Sequence, residues 1–363
     1  MITNRSFHRI RRPVAARRSV LYEPGVGEWT YSHHASVCCF KGKFYAMWSN
    51  SEINEDEIGQ RVLYCTSEDG EHWSAPKILF DSMPGAALTA GGFLVYGESL
   101  AAYAGYYAYV HIKEDGMFDR ANGEHKNTTL FRMETTDGEN WSAPEDLHVP
   151  VVPNHGPQPT KSGRLILSGN ILFPYTDDPS GKSGWKLTGP PPFPYEPLYD
   201  DSYAIEVRAP KYNVEWACEG SFFQTDDGTL HMLQRTRKKK LLLTESRDNG
   251  ETWSEPEWTD FTDCGTKFHC GRLPDGRFYV VGSPDPASSR CPLVLSISKD
   301  GKDFDREWII DDTFRPRRHD GLWKGGIYGY PHSMIHGDHL YVICSINKED
   351  ISVYRVCLQD LED

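Results

Sequence analysis

Short apolar and aromatic runs, interleaved with polar positions and ended by turns rich in Gly, Asp, Asn or Pro, recur along the whole chain. Lys43-Phe-Tyr-Ala-Met-Trp48, Arg61-Val-Leu-Tyr-Cys65, Leu230-His-Met-Leu-Gln-Arg235 and Leu340-Tyr-Val-Ile-Cys344 have the length and composition of strands. No long stretch carries a 3.6-residue apolar period, so the chain reads as nearly all β.

Grouped between turns, the strands fall into six units. The first runs from His33 through Trp48 to Cys65, the second from Gly91 through Val110 to Met133, and the third opens with Asn154–Gln158 and Gly163–Leu167. Glu219–Gln224, Lys267–Arg272 and Tyr330–Ile335 open the fourth, fifth and sixth. The last unit lacks an outer strand, and Ser19-Val-Leu-Tyr22 can supply it and remove the open edges. About 60 residues per unit matches four short antiparallel strands. The pattern predicts a single domain over residues 1–363, an all-β six-bladed β-propeller closed by the N-terminal strand.

A turn motif punctuates the units. Ser67-Glu-Asp-Gly-Glu-His-Trp73, Thr135-Thr-Asp-Gly-Glu-Asn-Trp141, Ser246-Arg-Asp-Asn-Gly-Glu-Thr-Trp253 and Ser298-Lys-Asp-Gly-Lys-Asp-Phe304 share a hydroxyl, an Asp, a Gly and a trailing aromatic. Hydroxyl and carboxylate can bond the N–H groups of the turn, Gly takes positive φ, and the aromatic packs back under the hairpin. The third unit shows no such motif but carries Gly189-Pro-Pro-Pro-Phe-Pro-Tyr-Glu-Pro197, a stiff surface excursion.

A net charge of −13 argues against nucleic acid as partner, and no run is apolar enough for a membrane span. Any anionic substrate then needs a locally basic pocket. Nine Cys without a regular framework read as reduced thiols and a cytoplasmic protein. Six arginines in residues 1–18 (Arg5, Arg9, Arg11, Arg12, Arg17, Arg18) read as a basic arm folded across the outside of the domain. No organic cofactor motif is present. Cys264, His269, Cys270 and Cys291 could be read as a zinc set, but their spacing matches no standard finger and buried thiols are the preferred reading.

Innermost strands of such a fold converge on an axis, so the residues that begin them are candidates for chemistry. They include His33, His34, His155, Gln158, Glu219, His269, Tyr330 and His332, types suited to proton transfer and nucleophilic attack. Adjacent His33 and His34 should face opposite sides of a strand, whereas Tyr330 and His332 should face the same side. Trp48, Trp216 and Trp323 are candidates for stacking on a sugar, with a core role as the alternative.

The four Asp-containing turns resemble the Asp-box repeat of sialidases and related β-propellers. That resemblance implies a Tyr nucleophile relayed by a Glu, an Asp acid/base, and three Arg that hold the carboxylate of an acidic sugar. Tyr330 resembles the nucleophile, Glu219 the relay, Arg235 and Arg290 the second and third Arg, and Glu55 or Asp56 the acid. The position of the first Arg reads Ser32-His33-His34-Ala35, so the clamp is incomplete unless a charged His33 helps it. The implied partner is an acidic oligosaccharide and the implied activity a sialidase-like hydrolase. The His-rich axis also resembles propellers that cleave uronate-containing glycans as lyases, or rhamnose from glucuronate, through His and Tyr. A propeller that binds glycans without catalysis is the remaining alternative.

Overall fold

The computed structural model describes residues 1–109, 111–114, 118, 125–191, 193 and 217–362. Its strands form six sheets in chain order. Two N-terminal strands, β1 (Ile10–Pro13) and β2 (Ala16–Tyr22), precede the first sheet of β3 (Tyr31–Phe40), β4 (Lys43–Ser51), β5 (Arg61–Ser67) and β6 (Lys77–Phe80). The second contains β7 (Ala87–Tyr96), β8 (Ser99–Tyr109), β9 (His125–Thr135) and β10 (Glu145–Asp146). Three short strands, β11 (Gln158–Pro159), β12 (Leu165–Ile166) and β13 (Tyr175–Thr176), make the third. The fourth is β14 (Ala217–Gln224), β15 (Leu230–Thr236), β16 (Lys240–Ser246) and β17 (Glu257–Thr262). The fifth comprises β18 (His269–Arg272), β19 (Phe278–Gly282), β20 (Leu293–Ser298) and β21 (Arg306–Asp311), with β1 added in parallel outside β21. The sixth is β22 (Tyr328–His336), β23 (His339–Ile346) and β24 (Asp350–Cys357), and β2 pairs with β24 as its outer strand. None of the helical segments among the described residues is long and apolar enough to cross a membrane.

Strands buried on both faces hold these sheets against one another. Along β4, Tyr45 and Met47 enter a cluster shared with the second sheet, while Phe44, Ala46 and Trp48 enter one shared with the sixth. Alternation along β23 likewise sends Leu340, Val342 and Cys344 toward the fifth sheet and Tyr341 and Ile343 toward the first. Comparable clusters join the second sheet to the third, the third to the fourth and the fourth to the fifth. Every sheet therefore has an apolar neighbour on each side. Trp48 is one of these core residues, fully buried beside Tyr22, and offers no face to a sugar.

The Asp-containing turns bond as the motif predicts. Ser67 Oγ accepts from Gly70 N at 2.9 Å, and Asp69 Oδ1 accepts from Glu71 N and His72 N at 2.8 Å each. Trp253 and Phe304, the trailing aromatics of two copies, are buried between sheets. A Cβ on Gly138 would stand 1.9 Å from Tyr45 Oη, so that turn accepts only glycine. The third sheet has a concealed copy. Thr176 Oγ1 accepts from Asp178 N, Asp178 accepts from the N–H groups of Ser180 and Ser183, and Trp185 packs on the neighbouring cluster. Extra residues between Asp178 and Trp185 hide it from a spacing search. Residues 192, 194–197 and Trp216 lie outside the described residues.

The basic arm is a clasp across three sheets. Ile2 is buried in the cluster of the fourth and fifth sheets, and its carbonyl accepts from Asp260 N of β17. Arg11 Nε donates to buried Glu307 at 2.5 Å, and its two terminal nitrogens hold Asp285 at 2.7 and 2.8 Å. Arg11→Ala should therefore cost roughly 3 kcal/mol by leaving the buried Glu307 carboxylate with only a 3.5 Å contact to Arg9, whereas Arg17→Ala, an exposed pair, should cost under about 1 kcal/mol. Urea denaturation of the two variants checks this; equal midpoints would contradict the clasp.

Candidate active site

Four innermost strands carry a bulge. Register shifts fall between His33 and Ser36 on β3, Ala90 and Gly92 on β7, Cys218 and Ser221 on β14, and Gly329 and His332 on β22. Each contains one residue with left-handed backbone: His34 (φ 55°), Gly92 (φ 94°), Glu219 (φ 51°) and Tyr330 (φ 54°). A bulge re-aims a side chain and breaks the two-residue alternation. Left-handed backbone is unfavourable for His, Glu and Tyr, and such strain concentrates at functional sites.

These bulges bring the chemistry together around Tyr330, which is only 7% exposed. Arg235 Nη1 donates to Tyr330 Oη at 2.9 Å and also pairs with Glu219 Oε2. His33 and His34 both pack on the Tyr330 ring, with centroids at 4.0 and 5.2 Å. The alternation argument allowed only one of these histidines at the site. Their bulge explains the difference.

His33 is not the charged helper. Its Nδ1 is 2.7 Å from Ser345 Oγ, which donates onward to the Gly329 carbonyl at 3.3 Å. Nδ1 therefore carries the hydrogen, and Nε2 is a buried lone pair without a hydrogen-bond partner. Burial, followed by the charges of Lys348, His34, Arg290 and Lys267, pushes the imidazole well below its ordinary range. Burial and the nearby Glu219 carboxylate push the Tyr330 phenol well above its own.

Four cations surround the Tyr330 ring. Lys267, Arg290, Arg235 and Lys348 lie 5.1, 5.2, 5.9 and 5.9 Å from its centre. Arg235 is paired with Glu219, and Lys348 Nζ holds both oxygens of Glu55 at 2.8 Å. Among the described residues Lys267 Nζ bonds only the Asn154 carbonyl, at 2.6 Å, and Arg290 Nη1 is buried without a partner. The cations outnumber these carboxylates by two, leaving a locally positive pocket in an acidic protein.

The expected acids separate. Glu55 is buried against Lys348, whereas Asp56, half-buried and at φ 56°, accepts from Tyr107 Oη at 2.5 Å and Tyr109 Oη at 3.1 Å. Trp323 is 58% exposed, and its carbonyl accepts from Lys348 Nζ at 2.9 Å.

His155, His269 and His332 form a second group, with nitrogen atoms all within 4.8 Å of one another. Tyr330 and His332 thus do not act as one same-face pair, because the β22 bulge separates them. Distance alone would allow a metal. Tautomers and charge disfavour one. Val37 N–H donates to His332 Nδ1 at 3.3 Å and Ser333 N–H to His269 Nδ1 at 3.2 Å, so both neutral rings carry hydrogen on Nε2. His155 Nε2 donates to the Phe268 carbonyl at 2.9 Å, and Gln158 lies 3.4 Å from His269. Burial depresses all three imidazoles, His269 to about 3. The nearby Lys267 ammonium lowers them further and would repel a bound cation. His33, His34 and Glu55 also converge, but Lys348 already occupies both Glu55 oxygens. Among the described residues, Cys264, His269, Cys270 and Cys291 do not form a ligand group, and all nine cysteines are free.

Lys267 and Lys348 were missed by the sequence reading. Lys267 opens the fifth innermost run, where charged residues were a usable signal. Lys348 sits on the β23–β24 turn, beside Asn347 at positive φ, where a lysine ordinarily faces water.

The family described as BNR repeat-like domain matches residues 42–342. A comparison with curated protein sequences finds no match. Among solved structures, a protein of unknown function from Dyadobacter fermentans is 16% identical with TM-score 0.65, over 94% of this chain and 99% of that one. The intramolecular trans-sialidase from Ruminococcus gnavus, in complex with oseltamivir carboxylate, is 15% identical with TM-score 0.66, over 95% and 98%. Trypanosoma rangeli sialidase in complex with sialic acid is 15% identical with TM-score 0.62, over 96% of this chain but 59% of its own. These likenesses establish the fold, and none of the three is described as a lyase.

Replacing Lys348 by Met should strand the buried Glu55 charge and destabilise the protein by about 3–5 kcal/mol. The double variant Lys348→Met/Glu55→Gln should recover much of that loss in urea titrations. A single variant as stable as the parent would contradict the ion pair.

Proposed function

The chain belongs to the BNR repeat-like domain family, and from that premise we propose that it is a sialidase-like glycoside hydrolase releasing an acidic sugar. In this reading the six sheets are blades of a six-bladed propeller, and the apolar clusters on both sides of every sheet support it. The observation that carries the activity is one contact: Arg235 touches both Glu219 and Tyr330, beneath an excess of cations.

Tyr330 Oη attacks the anomeric carbon while Glu219 receives the phenolic proton, and the glycosidic bond breaks. A neutral phenol approaches a carbon that bears or neighbours a carboxylate without charge repulsion. Burial makes the phenol hard to ionise alone, which is why the proton acceptor matters. Asp56 gives its proton to the leaving oxygen, then takes one from the water that displaces Tyr330, while Glu219 returns its proton to the departing Tyr330 oxygen. Arg235 and Arg290 hold the substrate carboxylate through charge-assisted bonds. As Arg235 turns toward that carboxylate, Glu219 becomes free to accept the proton. Nine free cysteines support a reducing, cytoplasmic setting and short acidic oligosaccharides as partners.

The test is a panel of sialosides and uronosides followed for new reducing ends and for absorbance near 235 nm, roughly where unsaturated uronates absorb. Wild type should release reducing ends without absorbance. Glu219→Gln should lower the rate about 10²–10⁴-fold, and Tyr330→Phe by at least as much. Absorbance would indicate elimination instead, and silence across the panel would leave a glycan-binding propeller.

A further inference from the structure

Lys267 is an expensive residue to place where it stands. Its side chain is 2% exposed, no carboxylate pairs with it among the described residues, and one of its three N–H groups is used, toward the Asn154 carbonyl. Buried cations are ordinarily paired, and buried donors are ordinarily bonded. Lys267 also lies on the same Tyr330 ring as Arg290, at 5.1 against 5.2 Å, and the buried Arg290 Nη1 likewise lacks a partner. Two buried cations beside one ring thus present donors with nothing to receive them among the described residues.

The neutral His33 sharpens this point. The first sheet supplies imidazoles where the resemblance calls for a guanidinium, and His33 offers a lone pair rather than a charge. Whatever balances the anion must come from elsewhere in the ring of cations. In the resting site Arg235 is held by Glu219 and Lys348 by Glu55, so Lys267 and Arg290 are the two cations without a carboxylate among the described residues, and Arg235 joins them only by leaving Glu219.

We infer that Lys267 is a specificity-determining residue of this site, and that its ammonium joins the Arg290 and Arg235 guanidinium groups in receiving the carboxylate of the sugar. The inference rests on the acidic-sugar reading given above. An ammonium is a point charge with rotatable donors, whereas a guanidinium is a planar fork. A site in which an ammonium stands beside two guanidinium forks fixes carboxylate orientation less strictly than three forks do. It is therefore suited to sugar monocarboxylates as a class, whether the group sits on the anomeric carbon or at the far end of a uronate.

Burial holds the Lys267 ammonium down to about 8. The ammonium is the anion-binding form, so affinity is full well below that pH and falls as pH rises through it. A bound carboxylate raises the value in the complex, so the fall begins near the free-site value and continues to higher pH.

Calorimetric titration of the full chain with N-acetylneuraminate and glucuronate, each beside a neutral counterpart (N-acetylmannosamine and glucose), tests the inference. Wild type should prefer at least one acid by about tenfold or more, and which acid wins identifies the source of the carboxylate. Lys267→Met should abolish that preference, while Lys267→Arg should keep it within about threefold and remove its decline between pH 7 and 9.5. Lys267→Met binding the acid as wild type does would overturn the inference and leave the acidic-sugar reading intact. Wild type with no preference for either acid would overturn both. Should Lys267→Met fail to fold, as judged by circular dichroism, Lys267→Arg decides: a decline matching wild type refutes the inference.

Discussion

One guanidinium ties the site together. Arg235 leaves β15 to meet a carboxylate from β14 of its own sheet and a phenol from β22, two sheets further along the chain. That contact exists only because the backbones at Glu219 and Tyr330 adopt left-handed conformations within bulges. Such conformations persist when the surrounding packing over-determines them. Here the surroundings are strands buried on both faces, clasped from outside by the N-terminal arm. The sheets supply the rigidity that holds the strained residues in place, and the strained residues include those of the proposed site.

The electrostatics follow the same division. In a protein of net charge −13, four cations cluster around a neutral phenol, and among the described residues two of them have carboxylates of their own. In a low-dielectric interior an anion complementary to that charge binds more strongly than the same groups would allow in water. Fold alone does not imply this chemistry, because propeller-type scaffolds serve many functions. What distinguishes this chain is the cluster of Tyr330, Glu219 and Arg235 with two cations that have no carboxylate partner among the described residues.

Much of this was legible in the sequence, for reasons that can be named. The Asp-containing turns announced themselves because each hydroxyl, carboxylate and glycine has a fixed bonding task. Tyr330 and Glu219 stood out because they begin innermost strands, and Arg235 and Arg290 because they match the resemblance; the structure brings all four around one ring. Bulges were not legible. They carried both His33 and His34 to Tyr330 and separated Tyr330 from His332, against a strict two-residue period. Trp48 was misplaced as an optional platform because a strand flanked by two sheets has no exposed face. Lys348 was missed because a turn lysine gives no sign of burial, and the motif of the third sheet because three extra residues interrupt it.

The central claim is that the Tyr330 phenol forms a covalent bond to the sugar. The most direct measurement is intact-protein mass spectrometry after exposure to an activated acidic glycoside fluorinated beside the anomeric carbon, which slows breakdown of a covalent intermediate. The account predicts an adduct of one sugar, mapped to the peptide containing Tyr330 and absent from Tyr330→Phe. An adduct mapped to Glu55 or Asp56, or turnover undiminished in Tyr330→Phe, would contradict it.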